Sequence, residues 1–226
     1  MAHRAMDDRT ETEPADSAAL HDQRRASVAE VRETYATQAD RMARLTPLNR
    51  LLTGRYRRDL FGRGEGRVLD VACGTGLNLE YLPEGVEYVG VDISPEMLAA
   101  ARDRHGGRPR VSFEEMDAGA LAVADDAFDT VVSSLSTCTF PDPVAALREM
   151  ARVCRPEGRV LLLEHGRSDV GALARFQDWR ADAHFEKHAC RWNQRPLDNV
   201  ETAGLDVHET RTGLLGMLTA IEATPG

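Results

Sequence analysis

The stretch Val68-Leu69-Asp70-Val71-Ala72-Cys73-Gly74-Thr75-Gly76, followed by Tyr88-Val89-Gly90-Val91-Asp92, decides the fold. An apolar run ends in a glycine turn, Leu77 to Leu82 has the length of a short helix, and a second apolar run ends in an acid. The order is strand, turn, helix, strand. Glycine adopts backbone conformations closed to other residues and lets a ligand lie against the main chain. An acid at the end of the next strand suits the hydroxyls of a ribose. The pattern therefore points to a bound nucleoside.

Downstream the alternation continues. Ser94-Pro95-Glu96 opens a helix, with Ser94 as N-cap and Pro95 at the first helical position. Arg110–Glu115 and Phe128–Ser134 read as strands and Val144–Cys154 as a helix, and Pro156-Glu157-Gly158 turns into a strand over Arg159–Glu164. Pro196–Ala203 reads as a helix ended by Gly204, and Leu205–Arg211 and Gly216–Ala223 as two last strands with Gly213–Leu215 between them. Such alternation predicts an α/β domain, with a parallel sheet, right-handed crossovers and helices on both faces. Upstream, Ser27 and Glu30 are spaced as a capping box ahead of Val28, Val31, Tyr35, Met42 and Leu45. A second helix is expected after Pro47, and Gly62 and Gly64 then break the chain. Residues 1–26 are expected to be a flexible tail and 27–226 the domain, with helices over 27–62 as its lid.

Composition narrows the function. The 226 residues carry a net charge of −9, which argues against a polyanionic nucleic-acid partner. Four cysteines, Cys73, Cys138, Cys154 and Cys190, include no C-x-x-C pair, so neither a metal site nor a disulfide framework is expected. No apolar run is long enough to span a membrane, and no signal peptide is evident, so the expected location is cytoplasmic. Competing nucleotide motifs fail. Leu79 stands where a dinucleotide fingerprint needs its third glycine, and no G-x-x-x-x-G-K-[ST] occurs.

The glycine loop and the acid at Asp92 resemble motif I and the acidic loop of the class I S-adenosylmethionine (SAM)-dependent methyltransferases. Ala72 stands where many members have the first glycine of Gly-x-Gly-x-Gly. That resemblance implies a Rossmann-like, seven-stranded, mostly parallel sheet with an antiparallel last strand and an N-terminal helical cap. It also implies SAM as cofactor, with S-adenosylhomocysteine as product. Ala72, Cys73, Gly74 and Gly76 would face the cofactor, with Asp70 near its cationic amino-acid portion and Asp92 on the ribose diol. Ile93 and Met97 follow Asp92. Met116, Asp117 and Ala118 would meet the adenine, Ser134 and Leu135 the methyl-donor end, and Tyr35 would close over the methionine end.

For the acceptor, Ser133 to Cys138 replaces the Asn/Asp-Pro-Pro-aromatic motif of nucleic-acid amino methyltransferases. A small-molecule acceptor is expected instead. His165, after the fifth strand, is the candidate base. Cys138, His184, His188, Arg191 and Trp192 are expected around the acceptor. Pro47–Leu52 resembles the entry helix of quinone and phospholipid methyltransferases. Glu164-His165 and Cys190–Asn193 resemble segments of alkyl-thiol methyltransferases. The expectation is methyl transfer to a small, apolar acceptor, whether thiol, quinone ring or lipid-like. The alternatives are a non-methylating enzyme or ligand-binding protein on the same fold, and, behind these, an RNA methyltransferase.

Overall fold

The structure, a computed structural model, describes residues 24–226. Residues 1–23, most of the expected tail, lie outside the described residues. The tail's described end is packed: Ala26 is buried beside Val31, Phe185 and Ala189.

Helix α1 runs Val28–Phe61. Its N-terminus is a closed capping box, in which Ser27 Oγ accepts from Glu30 N (3.3 Å) and Glu30 Oε2 accepts from Ser27 N (2.8 Å). One helix replaces the two expected, because Pro47 lies within it rather than at a break. A proline inside a helix removes one backbone donor. Here Pro47 is exposed, on the solvent side of the helix. The neighbouring turns carry side-chain bonds from Thr46 Oγ1 to Met42 O (3.2 Å) and from Thr53 Oγ1 to Asn49 O (2.8 Å).

The remaining elements alternate. Strand β1 is Arg67–Val71, followed by a 3-10 turn over Leu77–Tyr81, where a short helix was expected, and by β2, Glu87–Asp92. Helix α2 is Pro95–His105, β3 Val111–Glu115, β4 Phe128–Ser134, α3 Pro143–Val153 and β5 Cys154–His165. Helices α4 (Gly171–His188) and α5 (Pro196–Ala203) precede β6 (Asp206–Gly213) and β7 (Leu218–Thr224). Strand β5 begins earlier than expected. Cys154 already pairs with Phe128, and the Pro156-Glu157-Gly158 turn is a bulge inside the strand, before Arg159 pairs with Thr130.

The seven strands lie in the order β3-β2-β1-β4-β5-β7-β6. All pairs are parallel except those made by β7, which runs antiparallel between β5 and β6. The period-two alternation of each strand feeds both faces. Leu69, Val71, Val131, Val160, Leu162 and Ile221 pack on one side with Leu147 and Met150 of α3. Val68, Val132, Leu161 and Leu163 pack on the other with Leu60 and Phe61 of α1. Each fully buried aliphatic contributes about 1.5–3 kcal/mol, and these central strands hold the loops at their carboxyl ends in place. The chain winds outward from β1 to β3 and in the opposite direction from β4, so β1 and β4 flank the switch point where ligands bind in open α/β sheets.

Candidate active site

A cavity of about 240 Å³ opens at that switch point. The loops after four strands form its floor. Ala72, Cys73, Gly74 and Thr75 follow β1, Asp92 ends β2 and Ile93 follows it, Met116, Asp117 and Ala118 follow β3, and Ser134 ends β4 with Leu135 and Ser136 after it. Helix α1 supplies the facing wall with Val28, Val31, Tyr35, Met42, Leu45, Thr46, Asn49 and Arg57.

The β1 loop is tightly curled. Ala72, Gly74 and Gly76 all have positive φ, at 54°, 55° and 74°. Leu135, across the switch point, is likewise left-handed at 55°. For alanine and leucine that conformation costs on the order of 1–2 kcal/mol each. The strain falls at the two loops that a ligand in the crevice would touch. The two glycines serve different ends. A Cβ on Gly74 would meet nothing within 4 Å, so its backbone lies open to the cavity. A Cβ on Gly76 would meet the His105 ring at 2.8 Å and Phe113 at 3.5 Å. Gly76 is a packing glycine and does not line the cavity.

Asp92 anchors the loop and faces the cavity. Its Oδ2 accepts from Gly74 N (2.9 Å) and its Oδ1 from Ser94 N (2.9 Å). A carboxylate has about four acceptor sites, so both oxygens keep capacity for a diol. Burial raises the Asp92 pKa, opposed by the Ser94 and Gly74 amides. Asp117 Oδ1 accepts from Gly119 N (2.9 Å), which fixes the turn and leaves Oδ2 for an exocyclic amine.

Twelve of the fourteen residues expected at the cofactor line this cavity; Asp70 and Gly76 do not. Register explains Asp70. It pairs with Val132, whereas the β4 lining begins two residues later at Ser134, so Asp70 sits one pleat below the cavity. There it accepts from Tyr88 Oη (2.7 Å) and Asn78 Nδ2 (2.9 Å). Burial pushes its carboxyl up to about 6, against the pull of those two donors and of Arg57.

Arg57 and Asn78 line the cavity and were not anticipated from the sequence. Arg57 is only 2% exposed. It donates to Thr53 Oγ1 (3.0 Å), Ser134 Oγ (2.8 Å), Asn49 Oδ1 (3.4 Å) and Asn78 Oδ1, all neutral oxygens. Burial lowers its pKa to about 10. A buried cation hydrogen-bonded to neutral groups on a cavity wall is suited to an anionic ligand group. Arginine recurs seven times along α1, at 32, 41, 44, 50, 55, 57 and 58, so only the fold singles out this one.

The residues expected at the acceptor lie outside the lining. Cys138, His165, His184, His188, Arg191 and Trp192 gather behind the β4 loop. Arg191 lies 4.0 Å over the Phe185 ring and donates to Asp182 (2.7 Å). Trp192 stacks on His184 at 4.3 Å and donates to Gln177 O (3.1 Å). These contacts bind α4 to the loop that follows it.

Residues 69–162 match the methyltransferase domain family. The matched stretch carries the glycine loop, Asp92 and the loops after β3 and β4, and the match supports a SAM-dependent methyltransferase domain with SAM as its cofactor. It is 40% identical over 135 residues to a phosphatidylethanolamine N-methyltransferase of Cereibacter sphaeroides, a match covering 54% of this chain and 66% of that protein. It is 42% identical over 138 residues to a demethylmenaquinone methyltransferase of Thermus thermophilus, covering 56% of this chain and 63% of that one. The chain thus spans less than two thirds of the length of these curated relatives. A chain from the complex between the Haloferax volcanii Trm112 methyltransferase activator and a methyltransferase shares the fold. Its TM-score is 0.72 at 22% identity, over 87% of this chain and 98% of that one. Among the described residues no helix is long and apolar enough to cross a membrane.

Proposed function

We propose that this chain transfers the SAM methyl group to a small, apolar acceptor of quinone or lipid-like character. The wall that α1 lays over the glycine loop carries this reading. Val28, Val31, Met42 and Leu45 line the same cavity as Gly74 and Leu135, and of the four only Val31 is buried. The remaining lining fits the cofactor. Asp92 takes the ribose diol, Ile93, Met97 and Met116 flank the base, Asp117 takes its amine, and Arg57 with Asn78 takes the methionyl carboxylate.

When bound, SAM supplies an electrophilic methyl group held on a sulfonium. The protein contributes alignment and dryness. Positioning the acceptor in line can remove about 7–11 kcal/mol of the barrier, and an apolar acceptor lying against the apolar side chains of α1 would displace water there. An acceptor whose own lone pair or acidity supplies the nucleophile suits this lining. An amine or an electron-rich ring meets that requirement. The names of the phospholipid and quinone relatives support the same class.

The test is release of S-adenosylhomocysteine from SAM against a panel of phospholipid amines, quinols, alkyl thiols and RNA. Turnover that depends on a quinol or lipid acceptor is expected. Tight SAM binding without turnover on any acceptor would refute the transfer, and turnover confined to RNA would refute the acceptor class.

A further inference from the structure

The cysteines and histidines left outside the cavity form a site of their own. Cys138 Sγ lies 3.3 Å from Cys190 Sγ, and Cys190 Sγ lies 3.5 Å from His165 Nε2. All three atoms fall within 4.8 Å of one another. Both thiols are buried. The His184 side chain also reaches Cys190, and its ring is held flat against Trp192, 6° from parallel. These residues come from the β4 loop, the end of β5, helix α4 and the loop after it. Other groups hold them together. Arg191 N donates to Cys138 O (2.9 Å), and Gln194 Nε2 donates to Thr137 Oγ1 (2.8 Å) and His165 O (3.1 Å).

The spacing is that of a coordination site. Zinc–sulfur and zinc–nitrogen bonds of about 2.3 and 2.0 Å in a tetrahedron set ligand atoms roughly 3.3–3.8 Å apart. The observed 3.3 and 3.5 Å need shifts of under about half an ångström, while Cys138 and His165, within 4.8 Å of each other, and His184, outside that cluster, close on the ion by side-chain rotation. A disulfide would instead require the two sulfurs to close by more than about an ångström, to about 2.05 Å. A second observation concerns charge. Arg25 Nη1 is buried without a hydrogen-bond partner, and the guanidinium lies near both Cys138 and Cys190. A cation at that position favours the thiolate form of both cysteines in the empty site, and thiolates are the form that binds metal. Two soft thiolates with imidazoles favour zinc over hard cations.

We propose that Cys138, Cys190 and His165 bind one zinc ion, with the adjacent His184 turning in as the fourth ligand, and that the ion pins the wall of the neighbouring cavity. Binding displaces one proton from each thiol to solvent and leaves both imidazoles neutral, so the occupied site carries no net charge. Its effect on the cavity follows from the chain. Cys138 sits between Ser136 and Thr139, which both line the cavity, as do Phe140 and Pro141. The ion ties this segment to the ends of β5 and α4.

The test uses the full chain, expressed with added zinc and purified in reductant without chelator. Elemental analysis is expected to give about one zinc per chain. Protein stripped by chelator and loaded with cobalt(II) is expected to show a sulfur-to-metal charge-transfer band and tetrahedral d–d absorption. C138S and C190S should each abolish that spectrum, and His184→Gln should weaken zinc retention at least about tenfold against a chromophoric chelator. S-adenosylhomocysteine titration run in parallel reads the cavity separately. Substoichiometric zinc in the replete wild-type protein, with no cobalt spectrum, would overturn the proposal whether or not the variants fold. So would a wild-type mass two hydrogens lighter, with a Cys138–Cys190 disulfide located by peptide mapping.

Discussion

Asp70→Asn gives the sharpest test of the electrostatics beneath the cavity. The Asp70 carboxyl is fully buried, and burial lifts its pKa from 3.8 to about 6 despite its hydrogen bonds to Tyr88 and Asn78 and the nearby Arg57. A carboxyl that holds its proton more tightly folded than unfolded stabilises the fold most below the unfolded value. That contribution is lost as pH rises through the folded value. At 1.36 kcal/mol per pKa unit, the loss between about pH 4 and pH 7 is about 3 kcal/mol. Asparagine keeps the shape and cannot ionise, so D70N should escape this loss. The assay is urea unfolding of both proteins without cofactor, at intervals from pH 4 to pH 8. The stability of D70N relative to wild type should rise by about 3 kcal/mol across that window. With a urea slope of about 2 kcal/mol per molar, the midpoint difference changes by roughly 1.5 M. A constant gap would show that Asp70 titrates folded as it does unfolded. A gap that moves the other way would show that Arg57 holds Asp70 ionised and outweighs its burial.

Three further outcomes bear on the cofactor. Asp92→Ala should cost about 1.5–3 kcal/mol of S-adenosylhomocysteine affinity by calorimetry, and unchanged affinity would place the ribose elsewhere. Arg57→Met should weaken S-adenosylhomocysteine by a similar amount while leaving an analogue without the carboxylate unaffected; equal losses on both ligands would refute the carboxylate contact. The two glycines should separate. Gly74→Ala, strained by about 1–2 kcal/mol, should lower affinity because its methyl enters the open cavity. Gly76→Ala should add about 1–3 kcal/mol of overpacking against His105 and Phe113 and spare the affinity of the folded protein. Thermal melts and titrations on both variants decide this, and equal losses of affinity would erase the distinction.

The parts of this chain that read correctly from sequence are those whose determinants are neighbours along it. Helix α2 announces its start in Ser94-Pro95, and Ser94 Oγ does accept from Met97 N (3.3 Å). Helix α5 lies over the residues expected, with Gly204 past its end in the left-handed conformation. Strand ends carry the cavity loops because a parallel sheet places every carboxyl end on one edge, so three short motifs sufficed to outline the floor of the cavity. Errors began where a local signal had a non-local answer. Proline is a sound helix breaker on average, yet Pro47 faces solvent within a helix packed against the sheet. Pro156-Glu157-Gly158 has turn composition, but Cys154 had already found a partner in Phe128.

The site shows the same division more sharply. Asp70 follows the strand alternation, which shares Val68's face, and its distance from the strand end was in principle countable. The neighbouring strand's register, which sets how deep a given residue sits, was not. Arg57 became a site residue through contacts with Asn49 and Thr53 on its own helix and with Asn78 and Ser134 from two distant loops. Widely spaced cysteines argued against metal because spacing rules describe ligands carried on one turn or hairpin. In this fold the β4 loop, the end of β5 and the segment after α4 converge on one edge. That edge also carries the cavity, so ligands far apart in sequence can meet behind its wall, and any ion held there would stiffen the surface the acceptor must approach.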